Sequence, residues 1–189
     1  MKAAAQDFTA EFCAYFTSRI LRLKIALLWA LLLGASVLVS ASVSASASAA
    51  APIWQRALLC ALLILAFRLW DDLADREYDA SHHPERVLPR SRNLRPFWQV
   101  LLLLQCLLLA LLLYWGSVLQ IGLYLALNAI LAVLYFNRLA HLRRLRSQCV
   151  LLKYPVFLYL TGQAPLNDLA PLCALGLYLV LSFEDWRFS

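Results

Sequence analysis

The densest group of ionisable side chains in this 189-residue chain lies between residues 68 and 91, in the sequence RLWDDLADREYDASHHPERVLPRS. Within it, Asp71, Asp75 and Asp79 recur at every fourth position. In a continuous α-helix this spacing places the three carboxylates on one face, where like charges repel. Nearby arginines offset such repulsion, and so does a bound divalent cation; Mg²⁺ in particular prefers oxygen ligands. We therefore predict that these three carboxylates bind Mg²⁺ and face a common inward cavity.

The segment that carries these aspartates follows an apolar stretch, and the chain as a whole is unusually apolar. Hydrophobic residues make up 63% of it and charged residues 15%, whereas soluble domains are nearer half apolar and about a quarter charged. The apolar residues form long blocks, and a block of roughly 20 matches the hydrocarbon core of a bilayer. The predicted fold class is therefore all-α, as a polytopic helical membrane protein.

The apolar blocks predict about six transmembrane helices. Their predicted ranges are 25–40, 57–70, 97–114, 118–136, 149–161 and 169–183. Residues 1–24 are predicted to form a cytoplasmic, amphipathic segment at the membrane interface, which leaves 25–189 as the transmembrane domain. The beginning of the chain also resembles a signal peptide, although Asp7 and Glu11 argue against cleavage.

The positions of the basic residues predict the orientation in the membrane. The net charge is +6, and the Lys and Arg residues lie mostly between the apolar blocks. With six spans nearly all of them fall on one side, and Arg56 is the main exception. Because Lys and Arg are enriched on the cytoplasmic side, both termini and the aspartate motif are predicted to be cytoplasmic in an inner or plasma membrane. The same distribution argues against nucleic acid as a partner.

The stretch DDLADREYD resembles the first aspartate-rich motif of the UbiA superfamily of intramembrane prenyltransferases, and HHPERVLP is similar to the segment that follows that motif. The resemblance implies a UbiA-like partial bundle. It also implies Mg²⁺-dependent transfer of an isoprenyl group from a polyprenyl diphosphate to a small aromatic or lipid-like acceptor. Asp71, Asp75 and Asp79 would then bind the metal, and Asp72 and Asp75 would serve in catalysis.

Four basic residues are predicted to contact the diphosphate: Arg68, Arg86, Arg143 and Lys153. Arg86 matches an arginine that follows the motif in the superfamily. Lys153 lies within an apolar block, where snorkelling to the membrane surface is the alternative. Arg143 belongs to a basic cluster for which anchoring to the cytoplasmic side, or contact with anionic membrane lipids, is the alternative.

The end of the chain leaves a second function open. Members of the superfamily carry a second acidic motif and further helices, and the final residues SFEDWRFS resemble that motif only weakly. The resemblance therefore implies that a C-terminal part is missing, and a catalytically inactive UbiA-like protein that acts through a partner protein is the alternative.

Two other enzyme classes fit less well. The D-G-x-x-A-R core of the CDP-alcohol phosphotransferases is absent from the sequence. The stretch DDLAD matches the DDxxD motif of soluble isoprenyl diphosphate synthases, but the long apolar blocks argue against a soluble enzyme.

Overall fold

The computed structural model describes the backbone of residues 2–41, 52–136, 149–162 and 169–188, and the side chains of residues 8–40, 52–136, 149–162 and 170–182. Within these ranges the chain is helical and contains no β-strand. The all-α prediction is therefore confirmed for the described part of the chain.

The described part of the chain contains a series of helices. In chain order they are α1 (Lys2–Tyr15), a π-helical turn (Phe16–Ile20), α2 (Leu23–Ala41), α3 (Ile53–Ala74), α4 (Arg76–His82), α5 (Val87–Arg90), α6 (Arg95–Trp115), α7 (Val118–Phe136), α8 (Lys153–Gly162) and α9 (Leu169–Phe188).

Three of these helices are long and apolar enough to cross a membrane. The qualifying stretches are Leu23–Ser40, Arg95–Trp115 and Val118–Phe136, and shorter apolar helices cover Cys149–Gly162 and Ala170–Ser182. These lengths and compositions indicate a membrane protein, since about 20 apolar residues span the hydrocarbon core. The total of six spans and the side of each terminus stay predictions.

The chain divides into two compact units. The motif unit consists of Met1–Ala30 and Ala61–Leu108, and the second unit of Leu31–Cys60 and Leu109–Ser189. The motif unit contains the whole aspartate-rich segment. In the second unit, α2, α8 and α9 pack through small and branched side chains, with Val39, Leu158, Ala170 and Ala174 at the centre.

An aromatic cluster joins the N-terminal helix to α6 within the motif unit. The ring centroids of Phe8 and Phe12 lie 5.3 and 6.1 Å from that of Phe97, and the ring of Tyr15 lies 6.0 Å from it. Phe97 is completely buried. Edge-on and tilted aromatic contacts at these distances are favourable in addition to the apolar area they bury. Residues 8–15 are therefore packed into the motif unit, while the predicted interfacial position of residues 1–24 stays a prediction.

The turn between α6 and α7 is set by Gly116 and Ser117. The backbone N–H of Gly116 donates to the carbonyl oxygen of Leu112 at 2.8 Å. Ser117 and Gln120 then cap α7 reciprocally: the Ser117 N–H donates to Gln120 Oε1 at 2.8 Å, and the Gln120 N–H donates to Ser117 Oγ at 3.3 Å. This arrangement is a capping box, which satisfies backbone donors at the start of a helix. It explains why α7 begins at the predicted residue.

Replacing Gly116 with alanine is expected to destabilise the protein. An added Cβ would lie 2.5 Å from the carbonyl oxygen of Leu112, which is backbone and cannot rotate away. Overpacking of this kind costs about 1–3 kcal/mol, so the thermal unfolding midpoint in detergent should fall. The matched control is Gly122→Ala in α7, where nothing lies within 4 Å of the added atom. Equal midpoints for the two variants would contradict the proposed steric role of Gly116.

Candidate functional site

The backbone of the aspartate motif is helical nearly without interruption. Helix α3 ends at Ala74 and α4 begins at Arg76, with Asp75 between them at φ −90° and ψ 5°. The Asp75 N–H still donates to the carbonyl oxygen of Asp71, and the Asp79 N–H to that of Asp75, both at 2.9 Å. The spacing of four residues therefore corresponds to successive helical turns, with a local distortion at Asp75.

Asp72 is a buried carboxylate that contacts three side chains. It is only 5% exposed. The Arg19 guanidinium binds both of its oxygens, with Nε 3.1 Å from Oδ2 and Nη2 in close contact with Oδ1. The Tyr15 hydroxyl donates to Oδ2 at 3.0 Å, and Arg68 Nη2 lies 3.4 Å from Oδ1. A two-pronged arginine contact of this kind fixes the plane of the carboxylate as well as its charge.

These contacts also determine the protonation of Asp72 and Tyr15, which lie outside the apolar stretch of α3. Burial raises the pKa of Asp72, but the hydrogen bonds and positive charges of Arg19 and Arg68, with the Tyr15 hydrogen bond, outweigh it and bring the pKa below its usual value. Burial and the neighbouring Asp72 carboxylate raise the pKa of the Tyr15 hydroxyl far above its usual value. Asp72 is therefore ionised at neutral pH, and Tyr15 remains a protonated donor.

Asp79 is the second buried carboxylate of the motif and forms an ion pair with the partly exposed Arg86. It is 4% exposed, and Arg86 Nη1 donates to its Oδ1 atom. Arg76 in turn donates to the carbonyl oxygens of Leu88 and Ser91, at 3.3 Å in each case. These bonds hold the segment after α4 against the motif, so the residues downstream of the aspartates form part of the same local structure.

The other two aspartates of the motif are more accessible. Asp71 is partly buried and Asp75 is exposed. The three aspartates of the stripe therefore differ in exposure, because the motif passes from buried to exposed surface where α3 ends, and the common inward cavity stays a prediction. Among the side chains that the structure describes, no group of three or more His, Cys, Asp or Glu residues is arranged to hold a metal ion.

The basic residues predicted to bind diphosphate have different surroundings. The side chains of Arg68 and Arg86 remain 31% and 28% exposed, although each contacts a motif carboxylate. Lys153 belongs to the second unit and is buried, with Nζ 5.2 Å from the centre of the Tyr154 ring. Protein therefore encloses this ammonium group, which argues against snorkelling. Arg143 lies outside the described residues.

The predicted interfacial position of residues 1–24 does not indicate that Tyr15 and Arg19 bind the motif. A signal for it was present, since Phe8, Phe12, Tyr15 and Arg19 recur at intervals of three and four residues. Such positions share one helical face. The apolar half of this stripe packs on Phe97, and its polar half reaches Asp72. The pattern indicates a shared face, but it does not identify what that face contacts.

No family model matches this chain, and neither the curated proteins nor the solved structures contain a match.

Removing the Tyr15 hydroxyl is expected to destabilise the motif unit. Tyr15→Phe keeps the ring that packs on Phe97 but removes a donor to a buried carboxylate. Hydrogen bonds to charged groups contribute about 1.5–3 kcal/mol, so the free energy of unfolding in detergent should fall by this amount. Tyr114→Phe is the control, because Tyr114 is 82% exposed. A stability loss no larger than that of the control would contradict the role assigned to the Tyr15–Asp72 bond.

Proposed function

We propose that this chain is a UbiA-like, Mg²⁺-dependent membrane prenyltransferase. It would transfer an isoprenyl group from a polyprenyl diphosphate to a small aromatic or lipid-like acceptor. The observation that best supports this proposal is that the aspartates of the motif differ in burial. Asp72 and Asp79 are buried against arginines, whereas Asp71 and Asp75 are open to solvent to different degrees. Asp71 and Asp75 are therefore accessible to a cation and to the diphosphate that the cation binds.

The chemistry of these residues fits Mg²⁺. Asp71 and Asp75 are one helical turn apart, and carboxylate oxygens are the ligands that Mg²⁺ prefers. Mg²⁺ commonly uses one or two protein carboxylates and completes its coordination with water and substrate phosphates. A preformed set of three protein ligands is therefore not required. When bound, the ion would neutralise the charge that develops on the departing diphosphate.

Arg68 and Arg86 are suited to bind the diphosphate itself. Both arginines lie in the motif unit beside the aspartates, and their side chains are partly exposed. Arginine forms strong, paired hydrogen bonds with phosphate oxygens. Each arginine would thus bridge a buried carboxylate and an incoming phosphate, which orients the substrate relative to Asp71 and Asp75. The contacts predicted from the sequence for Lys153 and Arg143 stay predictions.

The apolar helices suit the other half of the substrate. Within the motif unit, α6 exposes Leu102 and Leu103 on its surface. A prenyl chain gains about 0.8 kcal/mol for each CH₂ group that leaves water. It would therefore partition into the membrane beside such helices, while its diphosphate stays at the polar motif. An amphiphilic substrate of this kind needs both surfaces in one protein.

The proposed reaction is a substitution at the first carbon of the prenyl group. The bond between this carbon and the diphosphate oxygen breaks, and its electron pair leaves with the diphosphate. The acceptor supplies the electron pair of the new bond and releases a proton to solvent. Arg68 and Arg86 would hold the diphosphate through bond breakage, because their attraction increases as negative charge accumulates on it.

Binding of tritiated geranylgeranyl diphosphate to the purified protein in detergent tests the proposal. We expect binding that requires Mg²⁺ and is abolished by a chelator. Asp75→Ala should weaken it by roughly tenfold or more, in the range seen when metal sites are altered. Glu77→Ala is the matched control, because it removes an exposed carboxylate two residues away. Its affinity should equal that of the unaltered protein.

The same experiment separates the proposal from its alternatives. Absence of Mg²⁺-dependent binding to the unaltered protein would overturn it. Equal losses in Asp75→Ala and Glu77→Ala would show a general charge effect and contradict a specific site at Asp75. Binding without release of diphosphate in the presence of aromatic acceptors would favour the catalytically inactive protein that acts through a partner.

The orientation proposed for this function places the aspartate motif and both termini on the cytoplasmic side of six spans. Reporter fusions in a bacterial inner membrane test it. A fluorescent protein joined after Asn93 should fold in the cytoplasm, and alkaline phosphatase joined after Pro52 or Ser117 should be active outside it. Active phosphatase after Asn93 would place the motif on the opposite side and contradict this orientation.

A further inference from the structure

The N-terminal region contacts the aspartate motif and the segment that follows it. Within the motif, Tyr15 and Arg19 bind Asp72 near the end of α3. After the motif, Ser91 Oγ donates to Glu11 Oε2 at 2.8 Å. The aromatic side chains of α1 pack on Phe97 at the start of α6. Three separate contacts, polar and apolar, therefore attach residues 8–19 to the motif and to the elements that follow it.

The Asp72 contact restrains the rotation of α3 about its own axis. Consecutive helical residues are about 100° apart, so Asp71 and Asp75 lie only about 40° from each other and to the same side of Asp72. When Arg19 and Tyr15 hold Asp72 towards the protein interior, this geometry places Asp71, about 100° away, at the border of the buried surface, which agrees with its partial burial. Asp75 lies about 60° from Asp72 in an ideal helix, and its greater exposure follows from the end of α3 and the local distortion at that residue.

Arg19 lies in a segment with an unusual backbone conformation. Residues Phe16–Ile20 form a π-helical turn between α1 and α2, and the chain leaves helical geometry at Leu21, with φ −78° and ψ 46°. Single π-helical turns inside α-helices occur frequently at functional sites. Here the turn carries the guanidinium that binds both oxygens of Asp72.

We propose that Tyr15 and Arg19 are positioning residues for the aspartate site: by holding Asp72 they fix the turn of α3 that presents Asp71 and Asp75 to the cation and the diphosphate. This inference rests on the proposed function. It gives Asp72 a structural task in place of direct contact with metal or substrate. It also makes the N-terminal segment a necessary part of the site, in addition to any contact it makes with the membrane surface.

Removal of one partner of the pair should impair the site more than removal of both. Arg19→Gln leaves the buried Asp72 carboxylate without its principal partner, and an uncompensated buried charge disturbs its surroundings. Arg19→Gln combined with Asp72→Asn leaves two neutral amides that hydrogen-bond to each other. Arg19→Lys keeps the charge but loses the two-pronged contact, so an intermediate effect is expected.

The test measures the affinity of the full-length protein in detergent for tritiated geranylgeranyl diphosphate, and the Mg²⁺ concentration that gives half-maximal binding. Mutation of a residue that holds a metal ligand in place typically reduces affinity by about 10–100-fold. We expect Arg19→Gln to weaken binding about tenfold, with a higher Mg²⁺ requirement, and the double variant to recover to within about threefold of the unaltered protein. Arg22→Gln, which removes an exposed charge from the same segment, should have no effect.

Several results would overturn the inference. Asp72→Asn alone removes one partner of the pair and should weaken binding to a similar extent as Arg19→Gln; complete loss of binding in both Asp72→Asn and the double variant would make Asp72 a direct ligand. Arg19→Gln binding that equals Arg22→Gln would remove the positioning role while leaving the proposed function intact. If the unaltered protein shows no Mg²⁺-dependent binding, the proposed function fails and this inference fails with it. If Arg19→Gln does not fold, the double variant and Tyr15→Phe still test the inference. The double variant should bind normally, and Tyr15→Phe should bind more weakly.

Discussion

The buried negative charge of Asp72 is the constraint on which the motif unit depends. An ionised carboxylate in a largely dry environment is stable only when strong partners replace the water it has lost. The structure supplies Arg19 and Tyr15 from the N-terminal region and Arg68 from the preceding turn of α3. Satisfying this one charge requires distant elements to meet, since Arg19 and Asp72 are 53 positions apart in the sequence.

The two ion pairs give the aspartates of one short segment different roles. Asp72 and Asp79 hold elements together, through Arg19 and Arg86 respectively. Asp71 and Asp75 are left at the border and on the surface of the unit. A run of like charges in a helix is unfavourable by itself, and pairing alternate members with arginines reduces the repulsion without closing the segment to solvent. Such an arrangement leaves positively and negatively charged side chains of the segment at least partly exposed to solvent.

In the second unit, several polar side chains donate hydrogen bonds to backbone carbonyl oxygens of neighbouring helices. Ser40 Oγ donates to the carbonyl oxygen of Gly162 at 2.6 Å, and Gln120 Nε2 donates to that of Leu160 at 2.9 Å. Arg56, the exception to the charge pattern along the sequence, is buried and donates to the carbonyl oxygen of Ser36 at 3.0 Å. Hydrogen bonds between helices satisfy polar side chains in an apolar environment. These contacts account for isolated polar residues within apolar helices without assigning them a chemical role.

The helical class, the apolar helices and the spacing of the aspartates follow from the sequence alone, because these are local properties of composition and periodicity. The range predicted for the fourth span, 118–136, coincides with α7, and a Ser-x-x-Gln capping box preceded by a glycine marks the start of that helix. Helix α3 extends beyond the predicted span 57–70 to Ile53 and Ala74, because a helix can include charged residues at its polar ends. Only the tertiary structure decided which aspartates are buried, since Asp71 and Asp72 are adjacent and chemically identical. Their difference arises from which side of α3 packs against Tyr15 and Arg19, a contact between distant segments that no local pattern specifies.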